Sequence, residues 1–303
     1  MPGSNHVPIT GITGYIGGSV ALAFREAGYI VSGTYRKQED KLRISAAGMT
    51  PVFCDLRADS LQPLAEAIRR NDIIIHAAEC DDISLAALFI REMKGSGKTL
   101  IYTSGAGYLA NHRRYAAVQQ VFQEDIPVRA TGVFPDRVRI NTALLRAGAF
   151  GIRSMVMVPA MVYGEGRFIN RQSKQLPALT LAAEELSCGV YIGDGLNSWS
   201  NVHVDDLAAL YLLAAEKAAN GTLWYVENGC CSFRQIGEAL HQRLGFAGHA
   251  TSMPLQAATA HWGSLMAKIA LSSDCRISGD KARKMLGWEP RYHDMTSYIA
   301  EQP

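Results

Sequence analysis

The sequence predicts an α/β fold with a doubly wound parallel sheet. A glycine-rich turn near the start joins an apolar segment to an amphipathic run. From there to about residue 105, short apolar segments alternate with helix-like stretches. Strands and helices that alternate along a chain are typical of a parallel sheet that helices cover on both faces.

The turn spans residues 10–18, and its glycines Gly11, Gly14 and Gly17 stand at G-x-x-G-x-x-G spacing. In a strand–turn–helix unit, the first glycine lets the chain leave the strand sharply. The second lets backbone N–H groups approach a pyrophosphate, and the third lets the helix pack closely on the strand. Because the start of the helix also offers free N–H groups and the positive end of its dipole, the turn predicts a nucleotide-binding site.

The second strand, at residues 29–35, is followed by two cations, Arg36 and Lys37. Folds of this kind that select NAD usually carry an acidic residue here, which holds the ribose hydroxyls. An arginine can instead bind a 2′-phosphate with its planar fork. We therefore expect NADP(H) as the cofactor, with NAD(H) as the alternative. The other interpretation is a solvated basic turn, since residues 38–40 are polar or acidic.

Three further strands are expected at residues 51–56, 71–78 and 98–105, with helices at about 60–70 and 83–94 between them. Ligands of doubly wound sheets bind outside the carboxyl ends of the strands. The residues at these ends that we expect to contact the cofactor are Asp55, Leu56, His76, Ala77, Ala78 and Thr103.

Composition restricts the possible function classes. The chain has 303 residues, 48% of them hydrophobic, which is enough for about two domains. Its net charge of +2 points to neither nucleic acid nor an anionic membrane as a partner, and no apolar run reaches the roughly 18 residues of a membrane span. The start of the chain does not resemble a signal peptide, and the six cysteines include no C-x-x-C pair. We therefore expect reduced thiols, a cytoplasmic location and no metal.

Short motifs are spread over almost the whole chain. Besides the glycine turn, they are residues 55–56 (Asp-Leu), 76–78 (His-Ala-Ala), 102–105 (Tyr-Thr-Ser-Gly), 158–166 (with Val-Tyr-Gly), 199–208 (with Val-His-Val-Asp-Asp-Leu-Ala) and 280–290 (with Leu-Gly-Trp-Glu-Pro). Together they resemble the motifs of the extended, epimerase/dehydratase-like short-chain dehydrogenases.

This resemblance implies a Rossmann-type dinucleotide-binding domain of residues 1–158 plus about 197–226. A smaller C-terminal substrate-binding domain would then comprise about 159–196 plus 227–303. The resemblance also implies a homodimer that acts on a small-molecule substrate. By matching position, it adds cofactor contacts at Thr10, Thr13, Tyr15, Ile16, Pro159 and Val162.

The family's catalytic pair, Tyr-x-x-x-Lys, is missing from this sequence. In the family the tyrosine exchanges a proton with the substrate, and the lysine lowers its pKa and holds the nicotinamide ribose. The pair should lie some thirty residues after Ser104, where the best register places Phe134 and Val138. Tyr115 comes too early and is followed four residues later by glutamine. Arg137 and Arg139, at the same helix start, are expected either to bind the cofactor ribose or an acidic substrate, or to be solvated.

Three residues are candidates for the catalytic positions. Ser104 matches the family's substrate-orienting serine, although it could instead cap a turn. Tyr108 follows strand five, and Tyr163 lies in the Val-Tyr-Gly loop. Either phenol could hydrogen-bond a carbonyl, or it could be a packed aromatic with its hydroxyl satisfied.

The sequence thus predicts NADP(H)-dependent reduction of a small organic ketone or imine. An imine enters already protonated, so it depends less on a general acid than a ketone does. The alternatives are a sugar-type epimerase or dehydratase that keeps its nucleotide, and a non-catalytic NADP(H)-binding sensor.

Overall fold

Apolar runs rich in branched side chains form the central strands, because such residues fit a sheet that is buried on both faces. The structure is a computed structural model that describes residues 5–58, 60–111, 120–125, 128 and 132–302. Its strands are β1 (His6–Thr10), β2 (Ile30–Tyr35), β3 (Thr50–Phe53), β4 (Ile73–His76), β5 (Thr99–Thr103), β6 (Arg153–Pro159), β7 (Met161–Tyr163), β8 (Val190–Ile192), β9 (Ser198–His203), β10 (Thr222–Val226), β11 (Cys230–Ser232) and β12 (Thr251–Met253).

The central sheet has seven strands in the order β10-β6-β5-β4-β1-β2-β3, and every pair in it is parallel. The strand order reverses beside β1, which pairs with β2 on one side and with β4 on the other. Ligands of such sheets bind at this reversal, outside the carboxyl ends of the strands. The doubly wound parallel sheet that the sequence predicts is therefore confirmed.

Helices cover both faces of this sheet. The α-helices of the described residues, including those of the later part of the chain, are α1 (Tyr15–Glu26), α2 (Gln38–Ala46), α3 (Gln62–Arg70), α4 (Ile83–Met93), α5 (Pro135–Arg146), α6 (Gln175–Leu186), α7 (Val204–Lys217), α8 (Phe233–Arg243), α9 (Leu255–Trp262), α10 (Asp280–Leu286) and α11 (Met295–Glu301). Among the described residues, no helix is both long and apolar enough to cross a membrane.

The buried apolar side chains form two clusters, one for each face of the central sheet. One includes Phe24 of α1 and Leu207 of α7, and the other includes Phe89 of α4 and Leu144 of α5. The second cluster continues into the later part of the chain, where β7, β9 and β11 form a three-stranded sheet and β8 pairs with β12. This smaller part lies beside the carboxyl ends of the central strands, because β7 follows β6 almost directly.

The turn between β1 and α1 is packed without spare room. Gly11 has a positive φ of 75°, and a Cβ on it would overlap with the carbonyl oxygen of Ala77, just beyond β4. A Cβ on Gly17 would overlap with the carbonyl oxygen of Gly11. The glycines therefore bring β1, β4 and α1 together at the reversal of the strand order.

Replacing Gly17 with alanine should lower the free energy of unfolding by about 1–3 kcal/mol, the usual cost of overfilling a packed interior. The added methyl group meets backbone atoms, which no rotamer change can relieve. Urea unfolding followed by circular dichroism measures the loss. Gly14→Ala is the matched control, because its Cβ would meet only the Gly11 oxygen, at 3.1 Å, and should cost less. A Gly17→Ala variant as stable as the wild type would contradict this packing.

Candidate active site

A cavity of about 670 Å³ opens at the carboxyl ends of the central strands. The glycine turn, the ends of β2 to β6 and the polar segment before α6 line it. The predicted site residues that line it are Gly11, Thr13, Gly14, Tyr15, Ile16, Arg36, Asp55, Leu56, Ala77, Ala78, Ser104, Pro159 and Val162. The predicted site residues that do not line it are Thr10, Gly17, Lys37, His76, Thr103, Tyr108 and Tyr163.

At one end of the cavity, the glycine turn presents the start of α1. Gly14 is the residue before the helix, with φ −82° and ψ 170°, and no side chain caps the first N–H groups. The first turn of α1 also carries no acidic residue. A pyrophosphate fits here, because the N–H groups and the positive end of the helix dipole are both free to meet it.

Arg36 and Arg57 both line the cavity beside the ends of β2 and β3. Asp55 also lines the cavity and accepts a hydrogen bond from the backbone N–H of Arg57, at 3.1 Å. Lys37 is three-quarters exposed and pairs with Glu39 at 3.7 Å. The sequence did not single out Arg57, because a lone cation in a turn looks like any other solvated residue.

His76 is fully buried behind the cavity wall, which it supports through hydrogen bonds. One of its ring nitrogens, Nε2, is 2.7 Å from the carbonyl oxygen of Glu79, which can only accept. Nε2 therefore carries the proton, and Nδ1 accepts from the hydroxyl of Thr10 at 2.7 Å. The ring stacks on Tyr102 with centroids 4.5 Å apart. Thr10 and His76 thus position the segment that carries Ala77 and Ala78 rather than face the cavity themselves.

Comparison with known proteins agrees with this geometry. The NAD dependent epimerase/dehydratase family matches residues 7–88 and 110–225. The chain belongs to that family. Relatives of comparable length include an uncharacterised protein of Schizosaccharomyces pombe, which is 28% identical over 96% of this chain and 97% of the relative. The 4-hydroxy-2-methyl-3-oxo-4-farnesyl-3,4-dihydroquinoline-1-oxide ketoreductase of Stigmatella aurantiaca is 22% identical, covering 93% and 91%.

Solved structures of epimerase/dehydratase enzymes share the fold. The dTDP-glucose 4,6-dehydratase of Bacillus anthracis, in complex with NAD, is 16% identical with a TM-score of 0.76, covering 98% of this chain and 94% of that one. The UDP-glucuronic acid 4-epimerase of Bacillus cereus, in complex with its substrate and NAD, is 16% identical with a TM-score of 0.72, covering 97% and 96%. At this identity the likeness shows the fold, and the family assignment makes the chain an NAD(P)-dependent, epimerase/dehydratase-like oxidoreductase by class.

The two tyrosines predicted as proton sources have hydroxyls that face other protein groups. Tyr163 is fully buried, and its hydroxyl donates to the carbonyl oxygen of Tyr292 at 3.3 Å. The hydroxyl of Tyr108 donates to that of Tyr225 at 3.4 Å. Burial raises the pKa of both phenols above the ordinary value, which makes each a weaker acid. Tyr115, set aside in the sequence analysis, lies outside the described residues.

Ser104 is the predicted catalytic residue that does reach the cavity. Its backbone N–H donates to the carbonyl oxygen of Met157 at 2.7 Å, which fixes the end of β5. Its hydroxyl is buried and makes no hydrogen bond within the part of the chain that the structure describes. A buried hydroxyl without a partner costs free energy, and a ligand oxygen that reached it would supply the missing hydrogen bond. The neighbouring Thr103 turns the other way, to the hydroxyl of Tyr211 at 2.6 Å.

Arg137, which the sequence left between two interpretations, lies in the cavity wall. It forms a double ion pair with Asp81, with Nε 2.7 Å from Oδ1 and Nη2 2.6 Å from Oδ2. Burial opposes its charge, but the hydrogen bonds with Asp81 and the nearby acidic groups together outweigh burial and raise the pKa of Arg137. Phe134 packs against its guanidinium, with 4.3 Å from Cζ to the ring centroid, and Val138 is buried away from the cavity.

Three consecutive residues, Glu79, Cys80 and Asp81, bring possible metal ligands within 4.8 Å of one another. Both oxygens of Asp81 already bind Arg137. Burial raises the pKa of the Cys80 thiol to about 11, which keeps the thiol protonated, whereas a metal binds the thiolate. This group therefore gives no support for a metal site.

The depressed pKa of His76 predicts that acid weakens the fold. Burial lowers this pKa to about 4, against an ordinary value of about 6.5. At a pH between these two pKa values, the unfolded chain binds a proton that the folded chain excludes. The contribution of His76 to stability is therefore complete above the higher value and falls as the pH decreases towards the lower one. NMR titration of the imidazole protons should find His76 neutral down to about pH 5. A midpoint at the ordinary value would contradict its buried, neutral state.

Proposed function

We propose that this chain is an NADP(H)-dependent reductase of a small organic ketone or imine. The observation that carries the proposal is one cavity that extends from the phosphate-binding turn to the unpartnered hydroxyl of Ser104. A dinucleotide that binds in such a cavity supplies the hydride from its nicotinamide ring. The ketoreductase of Stigmatella aurantiaca, which matches 93% of the chain, supports a carbonyl substrate.

Part of the cavity wall is apolar, which suits a small organic substrate. Leu85, Ala106, Ala160 and Trp199 line the cavity together with Ser104. Apolar walls exclude water, which strengthens a hydrogen bond from the serine hydroxyl to a substrate oxygen. A wall of this kind gives no stabilisation to an unpaired alkoxide, so the substrate oxygen needs hydrogen-bond donors from the protein.

The decisive experiment follows NADPH oxidation by the full-length protein against a panel of small ketones and cyclic imines. We expect at least one compound in the panel to be reduced, with saturation kinetics. Tight binding of NADPH without turnover of any compound would favour the sensor function. Conversion of a nucleotide sugar without net NADPH consumption would favour an epimerase or dehydratase.

The preference for NADP(H) rests on Arg36 and Arg57. Both residues line the cavity, after the neighbouring strands β2 and β3, where a 2′-phosphate would give each a charge-assisted hydrogen bond. The solved epimerase/dehydratase structures named above contain NAD. The preference for NADP(H) is therefore supported by the residues of this chain and not by those structures.

Arg36→Ala should weaken NADPH binding at least about tenfold while changing NADH binding much less, because a hydrogen bond to a charged group contributes roughly 1.5–3 kcal/mol. Lys37→Ala is the matched control, since Lys37 is exposed and outside the cavity, and it should affect neither cofactor. Isothermal titration calorimetry with both cofactors measures the difference. Equal losses for NADPH and NADH in Arg36→Ala would remove the 2′-phosphate site.

We also propose that the protein is a cytoplasmic homodimer with its chain divided into two domains as the resemblance implies. The position of β10 beside β6 and the packing of α7 in the core of the central sheet support the return of residues 204–226 to the dinucleotide-binding domain, whereas β9 pairs with β7 and β11. Light scattering on the purified protein measures the oligomeric state.

A further inference from the structure

The guanidinium group of Arg137 is held rigidly on two sides. Asp81 binds Nε and Nη2, and the carbonyl oxygen of Gly105 accepts from Nη1 at 3.2 Å. Phe134 packs against the guanidinium plane. The Arg137 side chain is only 12% exposed, and the residue lines the cavity. A side chain fixed in this way loses little further entropy when it binds a ligand.

A count of its donors shows what remains available. A guanidinium group has five N–H donors, and three of those in Arg137 are used by Asp81 and Gly105. Among the contacts of the described residues, one N–H therefore remains on each of Nη1 and Nη2, the free edge of the guanidinium. Nη1 donates to Gly105, the residue after Ser104, so Arg137 contacts the short segment that carries the serine. Both residues line the same cavity.

The charge of the Asp81–Arg137 pair decides which ligand suits this edge. The carboxylate neutralises the guanidinium through two short hydrogen bonds, so the pair attracts a free anion only weakly. A neutral carbonyl oxygen accepts hydrogen bonds without bringing a second negative charge close to Asp81. Such an oxygen also satisfies the hydroxyl of Ser104, which has no partner.

We propose that the free edge of Arg137 and the hydroxyl of Ser104 together bind one neutral carbonyl oxygen of the substrate. This rests on the reductase function proposed above. Arg137 then supplies the hydrogen-bonding part of the role that the family gives to its tyrosine, and it stabilises negative charge that develops on that oxygen. Asp81 is a positioning residue, since it acts only through Arg137.

The test uses isobutyramide, a neutral carbonyl compound that is not reduced, and isobutyrate, its anionic counterpart of the same shape. Binding to the full-length protein is followed by saturation-transfer NMR on the ligand methyl groups, with and without NADPH. The wild type should bind isobutyramide saturably and more tightly than isobutyrate. Arg137→Gln should weaken isobutyramide at least about tenfold, and Ser104→Ala should weaken it several-fold.

Arg139→Gln is the matched control, because Arg139 lies two residues along the same helix. Its side chain is 61% exposed and pairs with the nearby Asp136, so binding should stay within about twofold. Arg137→Gln leaves Asp81 without its cation, so the double variant Arg137→Gln, Asp81→Asn keeps two neutral amides there if the single variant unfolds. Ser104→Ala breaks no hydrogen bond made by the hydroxyl.

Each outcome decides the proposal. Equal isobutyramide affinity in the wild type and Arg137→Gln would overturn it, as would a wild type that does not bind isobutyramide or prefers isobutyrate. Arg137-dependent binding in a protein that reduces no ketone or imine would leave this site standing and remove the reductase function. Ketone reduction that is as fast in Arg137→Gln as in the wild type would leave the reductase function standing and remove the proposed role of Arg137.

Discussion

The close contact between the glycine turn and the end of β4 is the constraint on which the rest of the site depends. No Cβ fits on Gly11, because the carbonyl oxygen of Ala77 occupies its place, and none fits on Gly17, because the Gly11 oxygen does. This contact presses α1 onto the sheet where the strand order reverses. Two features follow from it. The N–H groups at the start of α1 face the cavity, and the segment after β4 has to bend away from the glycine turn.

That segment transmits the constraint to the substrate end. His76 holds the Glu79 carbonyl from within the core, which fixes the course of residues 77–82. Asp82 then caps α4 through the N–H groups of Ser84 and Leu85. Between these two anchors, Asp81 is presented to Arg137 on α5. A histidine with no contact to the cavity therefore helps to place a cation that does have one.

The sequence predicts those features that local chemistry determines. The glycine spacing, the order of strands and helices and the polar residues at strand ends are readable because each depends on neighbours along the chain. Ser104 follows from a motif and its strand end. Helix α2 is not predicted, because its only buried apolar residue is Ile44 and such a segment has no amphipathic signal.

The parts that could not be predicted depend on partners far along the chain. Arg137 and Asp81 are 56 residues apart, and without that pair the sequence gives no reason to prefer a buried arginine to a solvated one. Tyr163 lies in a recognisable motif, but the partner of its hydroxyl is Tyr292, 129 residues away. A motif therefore locates a residue on the fold, whereas tertiary contacts decide which way its side chain points.

The geometry at Arg137 also separates the two substrate classes of the proposed reaction. A guanidinium group does not give up its proton in proteins, so the free edge of Arg137 only donates hydrogen bonds. A ketone oxygen has lone pairs and can accept from both Arg137 and Ser104. A protonated imine nitrogen has no lone pair, and it brings a second positive charge beside Arg137, with both oxygens of Asp81 already engaged. Of the two classes, the arrangement therefore favours a ketone.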